Sequence, residues 1–502
     1  MSGQARPRFS ILSWRHIAGL LLLLGAPLGV GAAPPVPTAA DLAGIWAGTL
    51  THAGETERFA LHFEPGENGT VSLAMSVPAM HAAATPLGRV PLRIEGSDVV
   101  LGPFRFAFDR GAGTLTGAIP DALVPVHQMP IVLRRVERFE LPPRAPFPAT
   151  VPRPVWMFDA GAPLWAGVTL ADGIVYAGGD DGVLHAVAAA TGKPLWDFRA
   201  GGAIRCRATV KGRDLFFQAD DGHLYRLDAA TGVQRFKARI VDTPIVRKPL
   251  DDPESRFDHD AADVIEAAGL LFVGTHDGRL LALDSASGAR RWEFAAGGSI
   301  LAAPALAGGR VFFGSFDHHV YALDAKSGKI LWKKDTGAPV VSTPAVDGGR
   351  VLVGSRSYDL FALDVKNGAV AWNRYFWFSW VESSAAIRGR IAYLGSSDAA
   401  ALQAFEARGG RPLWRTDAGG WAWGQPAVTA DRVYIGSVGT KHYLVEHTGG
   451  ALAVDRSTGR PAWRFPAAAA GDGPYGFGGS PAAGGGLVFF PALDGRLYAF
   501  PE

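Results

Sequence analysis

Eight short segments of this chain align on a shared Pro-Ala core, as at Pro304, Pro344, Pro426 and Pro481. Three residues before the proline place they supply Trp165, Arg205, Asp260, Leu301, Val341, Glu382, Trp423 and Gly478. One residue before it they supply Gly167, Arg207, Ala262, Ala303, Thr343, Ser384, Gln425 and Ser480. The position between is small throughout, from Ala166 and Cys206 to Gly479, as a packed face requires. Period-two alternation gives the two flanking positions a common orientation. A purely structural ring would be uniform and apolar. This one mixes indoles for stacking, arginines for carboxylates, acids for cations, and amide or hydroxyl groups for orientation. Trp165, Arg205, Arg207, Asp260, Glu382, Ser384, Trp423 and Gln425 are therefore the candidate ligand-binding set, expected at the mouth of a central channel.

A second set lies in irregular segments. The aromatic stretches Phe376–Trp380, Trp421–Trp423 and Tyr475–Phe477 nominate Trp377, Trp380, Trp421, Tyr475 and Phe477 as rim contacts for a partner. The insertion Arg239–Asp260 and the loop Val438–Gly449 are expected on the same face, the first as a solvated, lid-like loop of mixed charge. Insertions confined to one face of a repeat array mark its binding face.

Other chemistry finds little support. His259, His276, His318, His319, His442 and His447 come from three repeats and show no compact ligand spacing, so no metal site is expected. Cys206 stands between two arginines that would lower its pKa, but its small-residue register indicates a packed thiol. No nucleophile elbow, phosphate loop or zinc pattern occurs.

The element that must carry these residues is a repeat of about 40 residues. Trp156, Trp196, Trp292, Trp332, Trp372, Trp414 and Trp463 mark it, with Phe236 in the remaining slot. From Trp196 onward a glycine stands four positions earlier, and an acid stands eight earlier except at Ala188. Each unit reads as four short antiparallel strands. The acid organises the turn before the outer strand, the glycine supplies positive φ, and the indole fills the seam between sheets. Phe236 predicts the loosest seam at the second repeat. The final repeat lacks an outer strand, and the spare segment Val155–Asp159 can complete it. The expected architecture is all-β: a closed eight-bladed β-propeller over 154–502, whose sheets are joined through both ends of the chain.

The Ala-Leu-Asp-Ala-x-x-Gly-x-x-x-Trp phrase resembles the tryptophan-docking repeat of pyrroloquinoline-quinone-type propellers. These include quinoprotein alcohol dehydrogenases and the barrel-assembly lipoprotein of the outer membrane. The resemblance covers the C-terminal part of the chain and implies the fold, not an activity. A quinone enzyme would need an aromatic floor, cations for the cofactor's carboxylates, Ca²⁺ on oxygen ligands and a carboxylate base. Trp423 or Trp165, Arg205 with Arg207, and Asp260 or Glu382 could supply parts of this. The departures are an adjacent cysteine pair, impossible with a single Cys, and an asparagine at the mouth, since the only asparagines are Asn68, Asn367 and Asn373.

Residues 1–32 carry Arg6, Arg8 and Arg15, then the apolar run Ile17–Leu24 and Val30–Ala32, which reads as a cleavable secretory signal. Its removal takes the formal charge from +2 to −1, so there is no basic excess for nucleic acid. Cys206 lies far from the leader, so no lipidation cysteine is expected, and the protein is expected to be periplasmic or secreted and monomeric. Residues 41–140 read as a small antiparallel β-barrel or meander. Pro-rich 141–153 reads as a stiff spacer. The favoured function is a non-catalytic binding scaffold without a cofactor, facing a periplasmic or outer-membrane protein. The alternatives are a small-molecule or glycan binder using the mouth, and a pyrroloquinoline-quinone dehydrogenase with Ca²⁺.

Overall fold

The computed structural model describes residues 36–502 apart from 53–54, 103, 120–128, 248–259, 442, 444 and 470. The expected secretory leader, His259 and His442, and most of the expected lid-like insertion therefore lie outside the described residues.

The front of the chain forms a closed barrel of eight antiparallel strands between Gly44 and Val136. The last strand pairs with the first, Val136 opposite Ile45, so no sheet edge is left unpaired. Trp46, Phe59, Phe63, Leu73, Phe104, Phe106 and Leu133 fill the interior. A one-turn helix, Ala39–Leu42, begins at a Thr38–Asp41 capping box and closes one end, where the Trp46 indole donates to the Leu42 carbonyl at 2.7 Å. Three strands, Asp98–Leu101, Phe104–Asp109 and Thr114–Ile119, are too short or too polar outside for the sequence pattern to have marked them.

The rest of the chain is an eight-bladed propeller. Blade four shows the plan: Ala305–Ala307, Arg310–Gly314, His319–Asp324 and Ile330–Asp335 run in order from channel to circumference. In blade eight the outer strand is Trp156–Asp159, paired antiparallel with Arg496–Pro501 through Trp156 opposite Ala499 and Asp159 opposite Arg496. The two ends of the propeller segment thus close the ring, as the spare strand predicts.

Six of the seams share one chemistry. Trp292 donates its indole N–H to the Ala325 carbonyl of the next blade at 3.1 Å, and Trp156 donates to Ala189 at 2.9 Å. The receiving turn carries Gly192 at φ +71°, and a Cβ there would stand 2.7 Å from the Trp156 ring. Both the backbone and the seated indole therefore require glycine. Phe236 cannot donate. In its place Arg226, held by Asp214, donates to Ser285 O at 3.3 Å and Ala286 O at 2.9 Å. The second seam is cross-linked by a guanidinium where six others use an indole donor, and at the seventh Trp463 packs against Phe490 and Phe500.

The barrel sits on the propeller rather than apart from it. Tyr375, Trp377, Phe378 and Val445 join the barrel's own hydrophobic cluster. Arg374 pairs with Glu55 at 2.6 Å, and Arg415 donates to Ala79 O at 2.5 Å. The Pro-rich connection is pinned along the way: Arg144 forks onto Asp417, Arg464 lies over Phe147 at 4.1 Å, and Arg464 N donates to Thr150 O.

Candidate functional site

The inner strands bring both candidate rings to one cavity of about 90 Å³ at the channel mouth. Trp165, Arg205, Arg207, Asp260, Glu382, Ser384, Trp423 and Gln425 all line it. One register needs correction. In blade three Ile265 pairs with Phe272, as Ala305 pairs with Phe312 in blade four, so Val264 takes the proline place. The two ring positions there are Ala261 and Asp263, not Asp260 and Ala262. The insertion precedes a strand with no proline to anchor the alignment, which is why the sequence placed it one residue early. Asp260 reaches the mouth from the end of that insertion.

The lower ring is largely occupied in stitching blades together. Ser384 Oγ accepts from Thr343 N at 2.8 Å, Ser480 Oγ from Gln425 N at 2.9 Å, and Thr343 Oγ1 from Ala303 N at 3.1 Å. Arg207 donates through its backbone N and Nε to Asp263 at 2.6 and 3.2 Å, and Nη1 reaches across the channel to Gln425 Oε1 at 3.4 Å. Burial pushes the Asp263 carboxyl up, and Arg207 pulls it back.

The upper ring is built from side-chain charge pairs on aromatic supports. Arg205 pairs with Asp180 at 2.6 Å and lies 5.6 Å from the Trp165 ring centre. Arg247 forks onto Asp220 at 2.5 and 2.9 Å, and approaches His276 Nε2 at 3.4 Å. Arg356 pairs with Glu382 at 2.7 Å and lies 4.5 Å from the Trp380 ring and 5.2 Å from that of Phe316. Trp423 stacks on Trp421 with ring centres 5.0 Å apart and planes 14° apart. Their indoles donate to Ser397 Oγ at 3.2 Å and to Asp398 Oδ1 at 2.9 Å respectively.

Asp260 differs from the other acids. It is exposed to solvent, and among the described residues no hydrogen bond or ion pair engages its carboxylate. The surrounding protein raises its carboxyl pKa, while Arg247, Arg205 and Arg356 oppose the shift.

The rim residues have other employment. Trp377 is buried in the barrel's hydrophobic cluster, and Phe477 is buried in the blade seven–eight core with Phe490 and Tyr498. Trp421 is buried behind Trp423, and Trp380 carries Arg356. Tyr475 is half-buried in a two-residue strand, Tyr475–Gly476, paired with Val438–Gly439. The expectation of an aromatic rim offered to an outside partner is thus corrected for Trp377, Trp421 and Phe477. Cys206 is packed: its Sγ lies 3.3 Å from Gln218 N and O, and burial pushes the thiol far above its ordinary value.

Sequence reasoning missed Asp180, Asp220, Arg247, Asp263 and Arg356. The first two stand in the aligned turns Asp180–Gly182 and Asp220–Gly222 between the second and third strands, a place the inner-strand alignment never sampled.

Known proteins meet this geometry in the propeller. The family described as outer membrane protein assembly factor BamB matches residues 152–247, 251–376 and 377–501. The chain belongs to that family. No curated protein matches the sequence. The solved BamB from Moraxella catarrhalis superposes with a TM-score of 0.54 at 18% identity, covering 70% of this chain and 98% of that one. The computationally designed Ika8 protein gives 0.57 at 15% identity, with 69% and 98% covered. Quinohemoprotein alcohol dehydrogenase from Comamonas testosteroni gives 0.53 at 14% identity, with 70% and 76% covered. At these identities the likeness is one of fold. The barrel lies outside the residues that the BamB family matches.

Proposed function

We propose that this protein is an exported, non-catalytic scaffold that binds a periplasmic or outer-membrane protein on the open sector of its variable face. The observation that carries this reading is the division of that face. Loops that enter the inner strands and loops that join strands two and three share it. Over blades five to seven the chain's own barrel occupies it, through Arg374, Trp377, Phe378, Arg415 and Val445. Over blades one to three it carries Asp180, Arg205, Asp220, Arg247 and His276 around the mouth, with Val246 90% exposed beside them. An apolar side chain so exposed, next to desolvated charge pairs, is the composition of a contact patch.

A quinone reading fits less well. Arg205, Arg207 and Arg356, the cations that would hold the cofactor's carboxylates, are each engaged by a carboxylate of the chain. Among the described residues no three His, Cys, Asp or Glu side chains converge on a point that could hold Ca²⁺. The mouth's volume of about 90 Å³ is also small for a three-ring quinone. A glycan or small molecule at the mouth, stacked on Trp423, is the second reading.

Site-directed photo-cross-linking in the native envelope tests the proposal. A probe at Val246 is expected to trap one discrete protein, and a probe at Lys326, in the docking turn of the opposite face, none. Equal trapping from both faces, or none from Val246, overturns the scaffold. Titration with pyrroloquinoline quinone and Ca²⁺, followed by absorbance and dye-linked alcohol oxidation, tests the competing enzyme. Stoichiometric binding with turnover would replace the scaffold by a dehydrogenase.

A further inference from the structure

Among the described residues, the carboxylates around the mouth outnumber the arginines by one. Arg205, Arg207, Arg247 and Arg356 each meet a carboxylate partner: Asp180, Asp263, Asp220 and Glu382. Asp260 is a further carboxylate in the same cavity, and the described residues give it no hydrogen bond or ion pair. Among the described residues, Arg247, Arg205 and Arg356 act on it through space while paired with acids of their own. Two indoles, Trp165 of blade one and Trp423 of blade seven, line the same cavity. Trp423 is half-buried and is braced by its stack on Trp421.

We propose that the mouth is a socket for one basic side chain, a lysine or arginine presented by the bound protein, whose cationic head meets the Asp260 carboxylate. This rests on the scaffold reading and names what the partner must bring. Three features of the site agree on that chemistry. Among the described residues the excess charge is negative, so a cation completes the set of pairs, where an anion would compete with acids already in place. Indole faces attract ammonium and guanidinium groups through their quadrupole. A mouth of about 90 Å³ suits a flexible four-atom stem with its head group. Arg205 over Trp165 and Arg356 over Trp380 show the chain using the same cation–ring contact for its own arginines.

The test uses the full chain and two short capped peptides, Gly-Lys-Gly and the same peptide acetylated on the lysine amine. Tryptophan fluorescence and amide chemical shifts report binding. The expected result is saturable binding of the free-amine peptide, at least about tenfold tighter than the acetylated one. Asp260→Asn should abolish that discrimination, while Asp431→Asn, at an exposed turn on the opposite face, leaves it unchanged. Thermal unfolding of each variant confirms that the fold is retained. Equal binding of the two peptides, or discrimination that survives Asp260→Asn, overturns the socket. Cross-linking at Val246 without lysine discrimination would refute the socket and leave the scaffold. Lysine discrimination without cross-linking would do the reverse.

Discussion

The covered and open sectors of the variable face are made of the same loops and similar residues, yet they satisfy them differently. Over blades five to seven, Tyr375, Trp377 and Phe378 are buried against the barrel, and Arg374 and Arg415 reach across to Glu55 and the Ala79 carbonyl. Over blades one to three, arginines turn inward to acids of their own or the neighbouring blade, as Arg205 does to Asp180 and Arg247 to Asp220. Aromatic and arginine content alone therefore does not distinguish a surface kept for others from one already used at home. What distinguishes them is where the complementary group comes from.

The covered sector should break most dramatically. Trp377→Ala removes an aromatic anchor that is 6% exposed and should cost about 3–5 kcal/mol, because the cavity left behind cannot fully collapse. Calorimetry should then resolve separate barrel and propeller transitions. Asp180→Asn strikes the other sector, removing the carboxylate charge that Arg205 pairs with, at a cost of about 1–3 kcal/mol. Denaturant unfolding measures it, and no loosening of the barrel should accompany it.

Acid should separate the sectors by a smaller margin. His81 of the barrel lies 3.8 Å from Asp417, whose carboxylate Arg144 already grips. Burial lowers the His81 pKa below its ordinary value. Such a histidine takes its proton more readily once undocked, so docking stability is full above pH of about 6.5 and falls as pH drops through that value toward the lowered one. His81→Gln should flatten the dependence seen by limited proteolysis of the 141–153 connection. Asp260, with its pKa raised, should lose its charge at a pH above the usual carboxylate range, and any cation held there should weaken from that point downward.

The smallest effect sharpens the comparison between seams. Trp196→Phe removes the indole donor to Ala229 O, where blade one has Ala186 in the place of Arg226. It should cost about 1 kcal/mol in thermal unfolding, more than the natural phenylalanine at 236 costs blade two.

Much of this was legible in advance because it is periodic. The recurring tryptophan with its glycine and acid dictates the seams, and counting them gives eight blades and the strand that completes the last. The mouth residues followed from the same register wherever a proline anchored it. Legibility failed where periodicity fails. Blade three lost its register by one residue behind the insertion, which hid Asp263. Arg247 lies in that insertion, and Arg356, like Asp180 and Asp220, in the turn between the second and third strands that the inner-strand register does not sample. The barrel's position could not be read at all, since long-range docking leaves no local spacing. Trp377 looks the same in sequence whether it faces a stranger or its own amino-terminal neighbour.

The union of Trp156–Asp159 with Arg496–Pro501 also sets an order of assembly. During synthesis the barrel strands emerge first, and every blade after them must wait with one half of the final sheet in hand until its counterpart leaves the ribosome. Until that moment the growing wheel is an open arc with two raw edges, the state in which it is most exposed to proteases and to mispairing with its neighbours.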